Sequence, residues 1–209
     1  MKSRASASGV TAPKKAALPT DGRKLRSHDS QQRIVAAMLD LIGNGLVSPS
    51  AEQVSARAGV GLRSVFRHFK DMESLHQAMS NILASRLTEV AQQPFVATDW
   101  RGQCLELVDR RAGIYEKMAP FLRAGQAHRH GSEVLQAGHV KFVAALRNIL
   151  INRLPSEARR DTKVIEAIDL LLSFDAWQRL RVDQRLSVAN AKEVLKQSLL
   201  AILDIRDGP

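Results

Sequence analysis

The chain has 209 residues, a net charge of +10 at neutral pH and one cysteine, Cys104. Aromatic residues make up only 4% of it, and its richness in Leu and Ala favours helices over sheets. No apolar run approaches the roughly 18 residues of a membrane span, no apolar segment follows the basic N-terminus as a secretory signal requires, and a lone cysteine forms no internal disulfide. We therefore expect a cytoplasmic protein without a membrane partner.

The clearest charge feature is the N-terminal segment 1–27, which holds seven basic residues and one acidic residue, a net charge of +6. It is rich in Ser, Ala, Lys and Arg and has no apolar periodicity, so we expect a disordered basic arm. Such an arm is attracted to DNA, RNA or a membrane surface, or it is a solvated tail with no specific role.

The first predicted helix carries apolar residues on one face over 34–42. Asp29 or Ser30 can cap its start. The triplet Gly-Asn-Gly at 43–45 ends it, because these residues tolerate the left-handed conformation at a helix C-terminus.

Two short helices follow. The second begins at Ser50, which forms a capping box with Gln53, and it ends at Gly59 after about two turns. The third covers 62–69, and a fourth covers 71–90. Short helices joined by a glycine turn are typical of a helix-turn-helix.

A helix-turn-helix needs apolar residues inside its angle to hold the second helix of the motif against the first. Val54, Ala58, Val60 and Val65 can supply them. The N-terminal end of the third helix then presents polar residues, and this end contacts bases in DNA-binding proteins of this type.

The rest of the chain also has helical spacing, with no strand alternation and no internal repeat. We predict helices over 100–118, 120–129, 133–154, 156–180 and 187–205, which brings the total to about nine.

The segment 47–75, VSPSAEQVSARAGVGLRSVFRHFKDMESL, resembles the DNA-binding signature of the TetR family of bacterial transcriptional regulators. The resemblance lies in a Ser that opens the second helix, Ala-Gly-Val at the turn, an aromatic residue and a His-Phe pair in the third helix, and a Lys before an acidic start to the fourth. More weakly, 173–187 resembles the penultimate helix region of a subset of these regulators.

This resemblance implies an all-α fold. Residues 28–84 would form a three-helix DNA-binding domain, and 85–209 a helical domain that binds an effector and dimerises. The protein would be a sequence-specific transcriptional regulator, most simply a ligand-responsive repressor. It would bind a pseudo-palindromic operator on double-stranded DNA as a homodimer, paired through its last two helices, and would need no cofactor.

Nine residues match the family's DNA-contacting positions or lie beside them. These are Ser50, Gly61, Leu62, Arg63, Ser64, Phe66, Arg67, His68 and Lys70. The fork of Arg63 matches O6 and N7 of guanine; Leu62 can pack on a thymine methyl group, and Lys70 can reach a phosphate. The plainer alternatives are exposed side chains without a role and, for His68, simple packing.

Two positions depart from the family pattern. Gly61 stands where Ser or Thr usually caps the third helix, and it is a weaker cap. Phe66 stands where a Tyr hydroxyl usually contacts a phosphate. Because Phe66 cannot make that bond, we expect it to pack against the first helix. Ser50 can offer both its amide and its hydroxyl to a phosphate.

The effector pocket would lie among the middle helices. Its candidate residues, each of which could equally belong to the core, are Trp100, Cys104, Tyr115, Phe121, Phe142 and Trp177. We expect no metal site: His128 and His130 point apart on a helix, and no Cys or acidic residue lies at ligand spacing.

Two other functions remain open from the sequence. An enzyme could use Cys104 with a histidine as a thiol pair, although a cysteine on an apolar helix face usually behaves as a small hydrophobic residue. A helical adaptor could instead bind RNA or a membrane through its basic tail. The sequence favours a non-enzymatic DNA-binding regulator over both.

Overall fold

A computed structural model describes residues 21–91 and 93–204. Within these ranges the chain is all-α, as predicted, with no strands. Its ten α-helices are α1 (Asp21–Gly43), α2 (Ala51–Ala58), α3 (Leu62–His68), α4 (Met72–Ala91), α5 (Trp100–Arg129), α6 (Glu133–Ile151), α7 (Ser156–Arg160), α8 (Thr162–Leu171), α9 (Phe174–Gln178) and α10 (Val188–Asp204), with a π-helical turn, Arg179–Asp183, after α9.

Helices α1–α4 pack around one apolar cluster, and the predicted wedge of the helix-turn-helix is confirmed. Val54 and Val65 are almost completely buried, Ala58 is buried and Val60 is partly buried against the same cluster. The second cluster is built from α5 to α10. Met118 of α5 packs against both clusters, so α5 joins the N-terminal helices to the rest of the chain.

Helix α1 begins at Asp21, so the prediction that 21–27 is disordered and that Asp29 or Ser30 caps the helix is wrong. The extra turns lack an apolar stripe and are held instead by contacts one turn apart. The Ser30 hydroxyl donates to the carbonyl of Arg26, and Arg33 pairs with Asp29. The remainder of the predicted arm, 1–20, lies outside the described residues.

Helix α5 is continuous through Pro120, which was predicted to separate two helices. Proline removes one backbone hydrogen bond and ordinarily bends or breaks a helix. Here both sides of it are anchored, because Leu107 and Val108 are buried in the C-terminal cluster, and Ala124 is buried in the N-terminal one. Tertiary packing outweighs the local cost.

The predicted helix 156–180 is instead three short helices and a π-helical turn. Two side chains cap new helices within it: Asp161 accepts from the amides of Lys163 and Val164, and Ser173 accepts from the amide of Ala176. Such caps compete with continuation of a helix. Helix α6 likewise ends at Ile151, three residues before its predicted end.

Helix α6 is long and apolar enough to cross a membrane by length and composition, with a mean hydropathy of 1.2 over an 18-residue window. His139, Lys141 and Arg147 interrupt its apolar residues, so the sequence shows no continuous apolar run here. In the fold α6 packs against α4, α5 and α8. Arg147 pairs with Glu166 and Asp169 of α8, and these ion pairs tie α6 to its neighbour.

A buried arginine organises the centre of the C-terminal cluster. Arg111 of α5 is 3% exposed and donates to the carbonyl of Leu172 at 2.8 Å and to that of Leu146 at 2.9 Å. The Tyr115 hydroxyl donates to the same Leu172 carbonyl at 2.8 Å, and Asp169 lies 3.7 Å from the guanidinium. The polar groups where α8 ends are thereby satisfied, and α6 and α8 are fixed against α5.

Candidate nucleic-acid interface and internal cavity

The turn between α2 and α3 is set by local chemistry that the sequence predicted. Ser50 accepts from the Gln53 amide at 3.3 Å, and its own amide donates to the Gln53 side chain at 2.8 Å, which is the predicted capping box. Gly59 has φ +63°, a left-handed conformation that glycine adopts without steric cost. Extended Gly61 then starts α3 without a side-chain cap.

Helix α3 presents one continuous outward face. Because residues on a helix advance by 100°, Leu62, Arg63, Phe66 and Arg67 lie together, and all four are exposed. Val65 lies opposite them and is buried, as is Phe69, which follows the helix. Ser64 and His68 border the exposed face and are half-buried.

Phe66 corrects an expectation. Its side chain is 48% exposed rather than packed against α1, because Val65 of α3 and Phe69, which follows the helix, take the inward positions. With Leu62, which is 37% exposed, it forms an apolar strip beside the row of Arg63 and Arg67.

The basic side chains of this face are free to bind an external acceptor. Among the described residues, Arg63 and Lys70 form no hydrogen bond or salt bridge, and Arg67 donates only a long bond of 3.4 Å to the Ser64 hydroxyl. Arg57 on α2 differs, since it pairs with Asp40 of α1 at 2.7 Å. The uncommitted charge is therefore concentrated on and just after α3.

Ser50 and His68 have narrower roles than the sequence suggested. The Ser50 amide is already bonded to Gln53, so only its exposed hydroxyl can donate to a phosphate. Burial, with the charge of Arg67 beside it, lowers the pKa of His68 below its ordinary value. A neutral, half-buried His68 fits the packing alternative better than pairing with a phosphate.

A cavity of about 610 Å³ opens between α4, α5 and α6. Of the six residues predicted for a pocket, only Phe121 and Phe142 line it. Cys104 and Tyr115 are instead buried in the C-terminal cluster, and Trp100 packs on its edge. Trp177 is also buried, donates to Glu116 and borders a smaller cavity of about 280 Å³.

The aromatic residues misled the pocket prediction because large apolar side chains fill the core, whereas small ones leave space. Gly125 of α5 and Gly138 of α6 line the 610 Å³ cavity, and a Cβ atom added at either would meet nothing within 4 Å. Alanines at 137 and 145 widen it further. Small residues on facing helices were the sequence signal that could have located this cavity.

Polar residues gather at one end of the cavity. Arg129 contacts His139 through Nη1 and Nε2, and the ring of His76 lies 4.8 Å from that of His128. Burial lowers the pKa of His76 to about 4, and the charge of His128 contributes. Burial and the Arg129 charge also lower the pKa of His139.

Several solved structures share this architecture. A transcriptional regulator from Rhodococcus sp. Rha1 has a TM-score of 0.65 and 19% identity, over 84% of this chain and 96% of that one. The multidrug binding protein EbrR, solved with imidazole, has a TM-score of 0.57 and 20% identity over 90% and 97%. A TetR transcriptional regulator from Rhodococcus sp. RHA1 has a TM-score of 0.52 and 17% identity over 86% and 97%.

This chain has the fold of the TetR-family transcriptional regulators. No protein-family model matches the chain and no curated protein matches it, so the likeness is one of structure. It extends over most of each chain, and the fold that the short segment 47–75 implied is confirmed for the described residues.

Within the TetR-type fold, the lowered pKa of His76 in α4 predicts how the free energy of unfolding depends on pH. Its pKa is about 4 when folded and about 6.5 when unfolded, so below about pH 6.5 the unfolded chain takes up a proton that the folded chain does not. The free energy of unfolding should fall by about 2 kcal/mol between pH 7 and pH 5 from this group alone. Urea unfolding at the two pH values measures the fall.

The variant His76→Leu should lose that part of the pH dependence. The smaller contributions of His68 and His139, whose pKa values are also lowered, should remain. His130→Leu is the matched control, because His130 is exposed and should leave the pH dependence unchanged. Equal pH dependence in His76→Leu and the unsubstituted protein would contradict this account.

Proposed function

We propose that this protein is a sequence-specific DNA-binding transcriptional regulator of the TetR type. The observation that carries the proposal is the outward face of α3, where Arg63 and Arg67 lie beside exposed Leu62 and Phe66. Such a face has the width and chemistry to enter a major groove, where arginine binds guanine and apolar groups contact thymine methyl groups. The structural neighbours named as regulators support it.

The contacts divide between bases and backbone. Arg63, in the first turn of α3, is placed to bind a base edge, with Leu62, Ser64, Phe66 and Arg67 beside it. Phosphates would be approached by the Ser50 hydroxyl, by the backbone near Gly61 and near His68, and by the Lys70 side chain after the helix. This assignment follows the general rule that phosphate contacts position a protein and base contacts specify the sequence.

The finer proposal is a homodimeric repressor whose operator is a pseudo-palindrome. One short recognition helix, α3, buries too little surface for tight specific binding. The dimer interface would be formed by the last two predicted helices, 156–180 and 187–205, which in the structure contain α8 and α10. Leu170 of α8 is 68% exposed, and Val194 of α10 is also exposed, which supports an apolar seam there.

An effector would act through the cavity between α4, α5 and α6. Helix α4 directly follows the recognition helix α3 and also lines the cavity. A ligand that favours one position of α4 therefore changes the spacing between the two α3 helices of the dimer. A ligand shifts an equilibrium only by its difference in affinity for the two states. The neighbour EbrR is named a multidrug binding protein, and residues 85–209 would be the effector domain here.

The rival functions fit the structure less well. Burial raises the pKa of the Cys104 thiol to about 11, so it is protonated at neutral pH, and a protonated thiol is a poor nucleophile. An adaptor that binds only through its tail gives no reason for the exposed, unpaired arginine on α3. We therefore propose a regulator without enzymatic activity or cofactor.

Selection of binding sites from random duplex DNA, followed by footprinting, tests the proposal. We expect an inverted repeat whose half-sites lie about one helical turn, or a multiple of it, apart. Enrichment of no sequence would overturn the regulator. Protection of a single half-site by one chain would overturn the dimeric arrangement but leave DNA reading intact.

The basic residues before α1 should add affinity for any DNA sequence. Residues 1–20 hold four basic residues and no acidic one. Deleting them should weaken binding to all duplexes alike, and should lower the slope of log K against log salt by about one unit for each phosphate that is no longer neutralised. Titrations at several salt concentrations measure both effects. An unchanged slope would mean that the segment is a passive extension.

A further inference from the structure

Arg129 is a cation in the cavity wall that lacks an anionic partner. Among the described residues its only hydrogen bond is from Nη1 to the ring of His139, and no carboxylate lies within 4.0 Å of its guanidinium. Its Nε atom is buried without a partner. Arg129 is partly buried. Because an arginine stays charged in a protein and a buried N–H without an acceptor is costly, an anion bound beside this side chain would be stabilised.

The charge of the cavity wall has one sign. The described residues of its lining include Arg129, Lys141 and the two histidines 76 and 139, but no Asp or Glu. The nearby acidic groups are engaged elsewhere: Asp175 accepts a hydrogen bond from Gln126 at 2.7 Å, and Glu73 accepts one from Ser132. These bonds leave both carboxylates charged, but among the described residues neither forms an ion pair with Arg129.

Apart from Gln77, Ser80, Asn81 and Gln126, the rest of the described lining is apolar. Met79 and Leu83 of α4, Phe121 of α5, and Phe142 and Ile149 of α6 line the cavity. Its volume of about 610 Å³ lies within the range of pockets that enclose small organic molecules. A ligand that fits must combine an apolar body with one anionic end.

We propose that this cavity binds an organic carboxylate with an apolar body. The carboxylate pairs with Nη2 of the Arg129 guanidinium, a charge-assisted hydrogen bond, and the apolar body lies between α4, α5 and α6. The inference rests on the proposed function, since the carboxylate is the effector class of that regulator.

The test compares three ligands with the same ten-carbon chain and different heads: decanoate, decanol and decyltrimethylammonium, each below its micelle concentration. Isothermal titration calorimetry on the full chain measures their binding. We expect decanoate to bind at least tenfold more tightly than decanol, and the cation most weakly. Equal affinity for decanoate and decanol, tighter binding of the cation, or no binding of any of them would overturn the proposal.

Two variants locate the site. Arg129→Gln should reduce the affinity for decanoate to that for decanol, whereas Arg123→Gln, which removes the same charge from an exposed position on α5, should preserve the preference. Gly138→Leu should weaken the binding of both ligands because the leucine side chain fills the cavity. A Cβ atom at this position meets nothing within 4 Å. A preference for decanoate that survives Arg129→Gln would overturn the assignment, and the wild-type comparison stands even if that variant fails to fold.

The DNA-selection test and the decanoate test can fail independently of each other. A protein that selects a DNA sequence but does not prefer decanoate keeps the proposed function and loses this inference. A protein that binds decanoate through Arg129 but selects no DNA sequence keeps the carboxylate site and loses the regulator.

Discussion

Replacing Arg111 with leucine should lower the free energy of unfolding by about 3 kcal/mol. The guanidinium is buried and donates to the carbonyls of Leu172 and Leu146. Hydrogen bonds from charged groups contribute about 1.5–3 kcal/mol each, and the Leu172 carbonyl keeps the Tyr115 hydroxyl as a donor. Leucine fills much of the volume, which limits the cavity cost. Urea unfolding followed by circular dichroism measures the decrease.

Arg123→Leu is the matched control for this prediction. Arg123 lies on the same helix, is exposed, and forms no hydrogen bond or salt bridge among the described residues. A surface change of this kind alters stability by about 0.5 kcal/mol or less. If Arg111→Leu were as stable as Arg123→Leu, the buried arginine would not be what fixes α6 and α8 against α5.

The second large effect concerns Arg63 and Lys70. Arg63→Ala should reduce the binding free energy for the selected operator by about 1–3 kcal/mol, and should relax the base preference at one position in each half-site. Lys70→Ala should weaken binding to all duplexes about equally. It should also lower the slope of log K against log salt by about one unit for each phosphate that Lys70 neutralises. Titrations of both variants on operator and scrambled DNA at several salt concentrations separate the two roles.

Folding should be the same in both variants, because each side chain is exposed and forms no hydrogen bond or salt bridge among the described residues. Circular dichroism and thermal unfolding check this. If Arg63→Ala weakened binding equally on both DNAs, Arg63 would bind a phosphate, and base reading would pass to Leu62, Ser64 or Arg67.

Local signals were enough to predict the helix-turn-helix. The Ser50–Gln53 capping box, left-handed Gly59 and the buried wedge around Val54 and Val65 all involve residues close in sequence. Each specifies its conformation through its own backbone or a neighbour one turn away, so tertiary packing had little left to decide. The division of α3 into buried and exposed faces followed, except for Phe66.

The errors lie where tertiary contacts outweigh local preference. Pro120 does not interrupt α5, because buried residues on both sides hold the helix together, and Ser173 interrupts a long amphipathic stretch because its hydroxyl caps a new helix. The cavity escaped prediction for a related reason: its space is made by Gly125 and Gly138, which leave no apolar pattern. The polar cluster of Arg129 and His139 joins two helices and has no sequence signature.

One measurement tests the central claim most directly: the affinity of the chain lacking residues 1–20 for the selected operator and for a scrambled duplex, at physiological salt. If the α3 face reads sequence, this chain should bind the operator about a thousandfold or more tightly than the scrambled duplex, as specific DNA-binding proteins do. Equal affinity for the two duplexes would contradict the account, because binding would then reflect charge alone and not the outward face of α3.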